Sequence, residues 1–82
     1  MLFRLTEHAK GRMIERGVSE TLIVEALAVP TKITRDAGRR LLIKKLYRKN
    51  GKERLLLLAA EWEGNVLCIV TIIDTTKVSK YL

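Results

Sequence analysis

The chain contains one cysteine, one histidine and one proline in 82 residues. Cys68, alone, can close no intramolecular disulfide, and its place inside an apolar run marks it as a buried strand residue. With His8 it supplies two of the four N/S ligands that a structural zinc site needs, so neither a metal nor another cofactor is expected. Aromatic residues are scarce, limited to Phe3, Tyr47, Trp62 and Tyr81, which leaves few platforms on which a nucleobase could stack. No apolar run approaches the ~18 residues of a membrane span: RLLLLAAEW and NVLCIVTIID are both too short. The opening MLFRLTEH lacks the basic region, apolar stretch and cleavage site of a signal peptide, so a cytoplasmic protein without membrane contact is expected. The length fits a single domain over residues 1–82, one that buries roughly 60–65% of its unfolded surface.

Positive charge, in contrast, is abundant and concentrated. Lysine and arginine exceed the acids by seven over the chain. Residues 32–54 hold ten of these cations against Asp36 and Glu53, a local excess of eight, and the remainder of the chain carries a net charge of minus one. A field confined to one segment favours a polyanion such as RNA or DNA, or an acidic protein. A solvated strand face kept basic for solubility has the same composition.

Local signals give the order of elements. Thr6 can cap a helix that carries Glu7 in its first turn and ends at Arg16–Gly17, with Leu5, Ala9, Met13 and Ile14 as its apolar stripe. Ser19 can cap a second helix, which Pro30 ends; its apolar face is Leu22, Ile23, Ala26 and Leu27, widened by Val24 and Ala28. Strands follow over 31–35, 39–48, 54–62 and 66–73, joined by Asp36-Ala37-Gly38, by Asn50-Gly51, a strong type I′ hairpin signal, and by Glu63-Gly64-Asn65. The expected fold is α+β, two N-terminal helices followed by a four-stranded antiparallel sheet. Continuous apolar runs in the last two strands imply cover on both faces. Helices would cover one face; the C-terminal tail, a partner or a second copy in a homodimer would cover the other.

His8, Arg12, Glu15 and Arg16 follow the i, i+4, i+7, i+8 series that shares one helix face. The spacing fits a chemical row, and equally a wet face of ion pairs worth ~0–1 kcal/mol each. Thr71 is the polar exception in the last strand. Simple alternation places it with Leu67, Ile69 and Ile73, opposite Cys68, Val70, Ile72 and Asp74; its methyl can pack there, or its hydroxyl can face the first helix near His8.

The string HAKGRMIERG, His8–Gly17, resembles the H-A-x-x-R-M-x-E-R-G signature of a bacterial family, domain of unknown function 4258, whose members close with a hydrophobic strand bearing a threonine, here IVTIID at 69–74. The likeness covers roughly residues 3–75. Members often carry an aromatic residue after that threonine, where this chain has Ile72. In layout and size the family is similar to small RNase toxins of the RelE, barnase and colicin type. The resemblance therefore implies a metal-independent endoribonuclease of toxin–antitoxin type acting on RNA or the ribosome, with an antitoxin as partner. His8, Arg12, Arg16 and Thr71 are the catalytic candidates. Arg35, Arg39, Arg40, Lys44, Lys45 and Arg48 are the candidate nucleic-acid contacts, with Lys44, Lys45, Tyr47 or Glu15 open as a second proton carrier. Two other readings of the residues stay open: a non-catalytic nucleic-acid-binding module, and an interaction protein docking an acidic partner.

Overall fold

In the computed structural model, which describes residues 2–82, the chain runs β1 (Phe3–Leu5), α1 (Glu7–Arg16), α2 (Glu20–Ala28), β2 (Lys32–Arg35), β3 (Leu41–Lys49), β4 (Lys52–Glu63), β5 (Val66–Thr75) and α3 (Val78–Tyr81). The strands form one sheet in the order β1-β5-β4-β3-β2. From β2 to β5 the sheet is an antiparallel meander, whereas β1 lies parallel to β5, Phe3 beside Leu67 and Leu5 beside Ile69. The architecture is thus a five-stranded mixed sheet with three short helices, which corrects the expectation of two helices and a four-stranded antiparallel sheet. The segment before Thr6 is too short to carry a periodic signal. It becomes a strand because the free edge of β5 supplies partners for its amides and carbonyls: Leu2 O accepts from Leu67 N at 3.0 Å, and Thr6 N donates to Ile69 O at 3.1 Å.

The helix ends follow their residue chemistry. Thr6 Oγ1 accepts from the Ala9 amide at 3.1 Å, and Ser19 Oγ accepts from Leu22 N at 3.1 Å. Each satisfies an otherwise orphan first-turn donor. Gly17, at φ 64°, takes the left-handed conformation that closes α1, with Gly17 N donating to Ile14 O and Val18 N to Met13 O. Asn50 and Gly51 both have positive φ, 54° and 77°, as the tight hairpin between β3 and β4 requires.

The core lies between the sheet and the first two helices: Ala9, Val18, Ile23 and Ala26 meet Ile43, Leu56, Leu58, Ala60, Leu67, Ile69 and Ile72. Three details differ from the sequence reading. Ile14 is 77% exposed, so α1 buries a narrower stripe, and Val24 and Ala28 lie outside the covered face of α2. Ala60 pairs with Ile69 but Ala59 with Thr71, so Val70 is an extra residue in β5. That bulge resets the alternation. Leu67 and Ile69 therefore share the helix-covered face with Ile72 and Asp74, and Thr71 is grouped with Cys68 and Ile73. On the opposite face Leu55, Leu57, Ala59 and Cys68 are also buried. The C-terminal segment contributes cover there: α3 packs on β4, and Lys32, which is paired with Lys44 on that face, donates from Nζ to Leu82 O at 3.0 Å. No helix among the described residues is long and apolar enough to cross a membrane.

Candidate functional site

Because β1 leaves the sheet after Leu5, the chain enters α1 beside the uncovered length of β5. Thr6 fixes that junction twice, capping α1 and donating from Oγ1 to Val70 O at 3.2 Å, at the bulge. Two residues later, His8 Nε2 lies 3.1 Å from Thr71 Oγ1. The hydroxyl can accept from a protonated Nε2 or donate to a bare one, so this contact orients the ring in either tautomer. His8 itself remains exposed.

The candidate row on α1 opens into two different grooves. His8, Arg12 and Glu15 line one, together with Glu7 and Gly11. Arg12 Nη1 is 3.7 Å from Glu15 Oε1, a loose surface pair. Arg16, one turn beyond Arg12, lines a second groove with Lys49, Asn50, Lys52, Arg54 and Asp74. His8 and Thr71 are thus brought together, with Arg12 beside them, and Arg16 stands apart.

Behind the second groove lies a polar cluster of which the sequence reading singled out only Tyr47, as one possible proton carrier. Asp74 is buried, its side chain only 3% exposed. Its Oδ1 accepts from the Tyr47 hydroxyl at 2.7 Å, and Arg54 Nε donates to both its oxygens at 3.2–3.3 Å, with Arg54 Nη2 3.1 Å from Oδ2. Hydrogen bonding to Asp74 raises the Arg54 guanidinium further above its already high range. Burial, and then the hydrogen bond to Asp74, push the Tyr47 phenol above its ordinary value of 10.0, so it stays a donor. The signal for this cluster was present in outline. A two-residue turn at Asn50-Gly51 sets Tyr47 opposite Arg54, and Asp74 is the single acid in a long apolar strand.

The candidate cations of the strands are dispersed. Lys45 is drawn under α2, donating to Val29 O at 2.8 Å with Glu25 Oε1 at 3.8 Å. Lys44 is buried on the opposite face of the sheet. Arg40 pairs with Glu61, Nη2 to Oε1 at 2.9 Å, and Arg35 donates to Arg39 O at 3.2 Å in the exposed β2–β3 turn. Arg48 donates to Gly51 O at 2.9 Å, beside the hairpin tip. Lys44, Lys45 and Tyr47 each have positions away from the His8 groove, so Glu7 and Glu15 are the other titratable groups lining it apart from Arg12. Glu7 is 3.5 Å from Lys10 Nζ. Among the described residues no cluster of three or more His, Cys, Asp or Glu side chains could hold a metal ion.

No curated protein matches the chain. No solved structure matches it either. A family model does match, over residues 5–81, so nearly the whole chain, from the end of β1 to α3, belongs to the family described as domain of unknown function (DUF4258).

Proposed function

We propose that this protein acts on RNA and cleaves it without a metal ion, at the groove lined by His8, Arg12 and Glu15. The observation that carries the reading is His8, an exposed imidazole oriented by Thr71 at 3.1 Å and set beside a guanidinium on the same helix. Phosphodiester cleavage by the neighbouring 2′-hydroxyl needs a base for that proton, an acid for the departing 5′-oxygen, and a cation on the phosphorane. Along α1 the order is His8, Arg12, Glu15, and all three line the groove. A phosphate held on Arg12 would have a proton carrier on either side, as displacement in line demands. Glu15 would take the 2′ proton as the 2′-oxygen bonds to phosphorus. His8 would then protonate the 5′-oxygen as its bond to phosphorus breaks, leaving a 2′,3′-cyclic phosphate and a 5′-hydroxyl. The net charge of +7 supports an anionic substrate by drawing it to the surface.

The test is cleavage of purified RNA in excess EDTA by the wild type and by the His8→Ala, Arg12→Ala and Glu15→Gln variants. The expected result is loss of cleavage by about 10²-fold or more in each, with folding unchanged because all three side chains are on the surface of α1. Full cleavage by folded His8→Ala would refute the mechanism. A second reading, a non-catalytic RNA-binding module, is favoured by the separation of Arg16 from His8 into another groove. It predicts salt-sensitive RNA retention without cleavage, unaffected by His8→Ala.

A further inference from the structure

The groove at the C-terminal end of α1 is lined chiefly by cations. Arg16, Lys49, Lys52 and Arg54 converge on it, and the acid among its lining residues is Asp74. Asp74 is already engaged by Arg54 and Tyr47 and is almost wholly buried. Among the described residues Arg16, Lys49 and Lys52 take part in no ion pair. Three cations beyond neutrality therefore face a groove of about 360 Å³ with nothing to balance them. That volume falls within the ~300–1,000 Å³ of typical ligand sites. Like charges lining one groove repel one another, and a bound anion relieves that repulsion.

Arg54 distinguishes this groove from a solvated basic surface. Its guanidinium has five N–H donors, and Asp74 takes those of Nε and, in part, Nη2. The same contacts fix the plane of the fork. A planar donor set held by a buried carboxylate loses little side-chain entropy when it grips phosphate oxygens. The three partners come from adjacent strands, Tyr47 on β3, Arg54 on β4 and Asp74 on β5, so the fork stands on the sheet and not on a loop. Helix α1 presents its carbonyl end here, which does not attract anions, so the side chains must supply the attraction.

We infer that this groove is a phosphate-binding site, in which Arg54, positioned by Asp74 and Tyr47, grips phosphate oxygens while Arg16, Lys49 and Lys52 neutralise the charge. The carrier of the phosphate is the RNA strand, an identification that rests on the function proposed above. His8 and Arg16 are eight residues apart on one helix, ~12 Å at the usual rise. The site would therefore hold a phosphate a few nucleotides from the one that is cleaved, adding affinity for longer strands.

Two probes test this separately from cleavage, each added to the 82-residue chain labelled with nitrogen-15. One is inorganic phosphate; the other is a short 2′-O-methyl oligoribonucleotide, which lacks the nucleophilic hydroxyl. Both should shift the amides of residues 16–18 and 49–54. Lys52→Ala and Arg16→Ala, which remove exposed side chains, should each weaken oligonucleotide binding several-fold at low salt and flatten its salt dependence by a part of the ~0.7 in log–log slope that one phosphate contributes. Asp74→Asn makes the protein more positive, so simple attraction would tighten binding; release of Arg54 should weaken it instead. Tighter binding by Asp74→Asn would overturn the positioning role, and if that variant does not fold, the two surface variants still decide the site. Absence of shifts at these amides with both probes overturns the site. Shifts with phosphate but not with the oligonucleotide leave the site standing and overturn RNA as its carrier.

Discussion

Single residues decide most of what the site can do, and Tyr47 shows how. Its hydroxyl donates to a buried carboxylate, a hydrogen bond to a charged group worth roughly 1.5–3 kcal/mol. Because the phenol is held above its ordinary 10.0, the folded chain keeps its proton at a pH where the unfolded chain has begun to lose it. The Tyr47 contribution is then fully present below about pH 10 and is lost as the pH rises through the folded value. Tyr47→Phe should lower stability at pH 7 by about 1.5–3 kcal/mol. Above about pH 10 its stability should fall less steeply than that of the wild type. Urea unfolding at a series of pH values measures both, and parallel alkaline limbs would show that Tyr47 is not coupled to folding. The same residue scale limits what a sequence reveals. The i, i+4, i+8 spacing correctly placed His8, Arg12 and Arg16 on one helix, but spacing along a helix says nothing of what stands opposite. Neighbouring strands divide that row, Thr71 meeting His8 and the β3–β4 hairpin meeting Arg16.

At the scale of elements, the junction between β1 and α1 determines where His8 points. Thr6 performs two tasks with one hydroxyl, accepting from Ala9 N and donating to Val70 O. Thr6→Val keeps the shape and removes both hydrogen bonds. It should cost about 1–2 kcal/mol in urea unfolding, the usual loss of a cap. It should also broaden or shift the His8 ring resonances as the start of α1 frays. An unchanged His8 environment would mean that Thr71 alone holds the ring. Helix caps and tight turns were legible because their chemistry is local: Thr6, Ser19, Gly17 and Asn50-Gly51 all act within four residues of themselves. β1 and the bulge at Val70 were not. A three-residue strand has no period to detect and exists only through pairing with a segment more than sixty residues away. The bulge is an insertion within an unbroken apolar run, where neighbouring residues look alike. Simple alternation therefore set Leu67 and Ile69 opposite Ile72 and Asp74, and grouped Thr71 with Leu67 and Ile69, from which the bulge separates it. The Tyr47–Arg54–Asp74 cluster depends on both hairpin registers at once, which is why only its parts could be seen.

For the whole molecule, the central feature is a charge imbalance that folding redistributes. The basic segment 32–54 looked like one continuous surface in the sequence. In the fold Lys45 ties β3 to the end of α2, Lys44 lies on the opposite face, and Arg40 is paired. Lys49, Lys52 and Arg54 face one groove at the hairpin end, where Arg16 joins them from outside the segment. An RNA strand crossing from that end along α1 would pass the phosphate groove before reaching His8. Affinity for RNA should accordingly fall steeply with salt, by about 0.7 log units per tenfold increase in salt for each phosphate contacted.

The proposed chemistry uses the 2′-hydroxyl as its nucleophile, and that requirement gives the most direct measurement. A labelled RNA oligonucleotide and its counterpart carrying a single 2′-deoxynucleotide at the cleaved position are incubated with the protein in EDTA, and the product ends are identified by mass. The account predicts a 2′,3′-cyclic phosphate with a 5′-hydroxyl from the RNA, and no cleavage at the deoxy position. Cleavage at the deoxy position, products with a 5′-phosphate, or no cleavage of RNA by the folded wild type would contradict it.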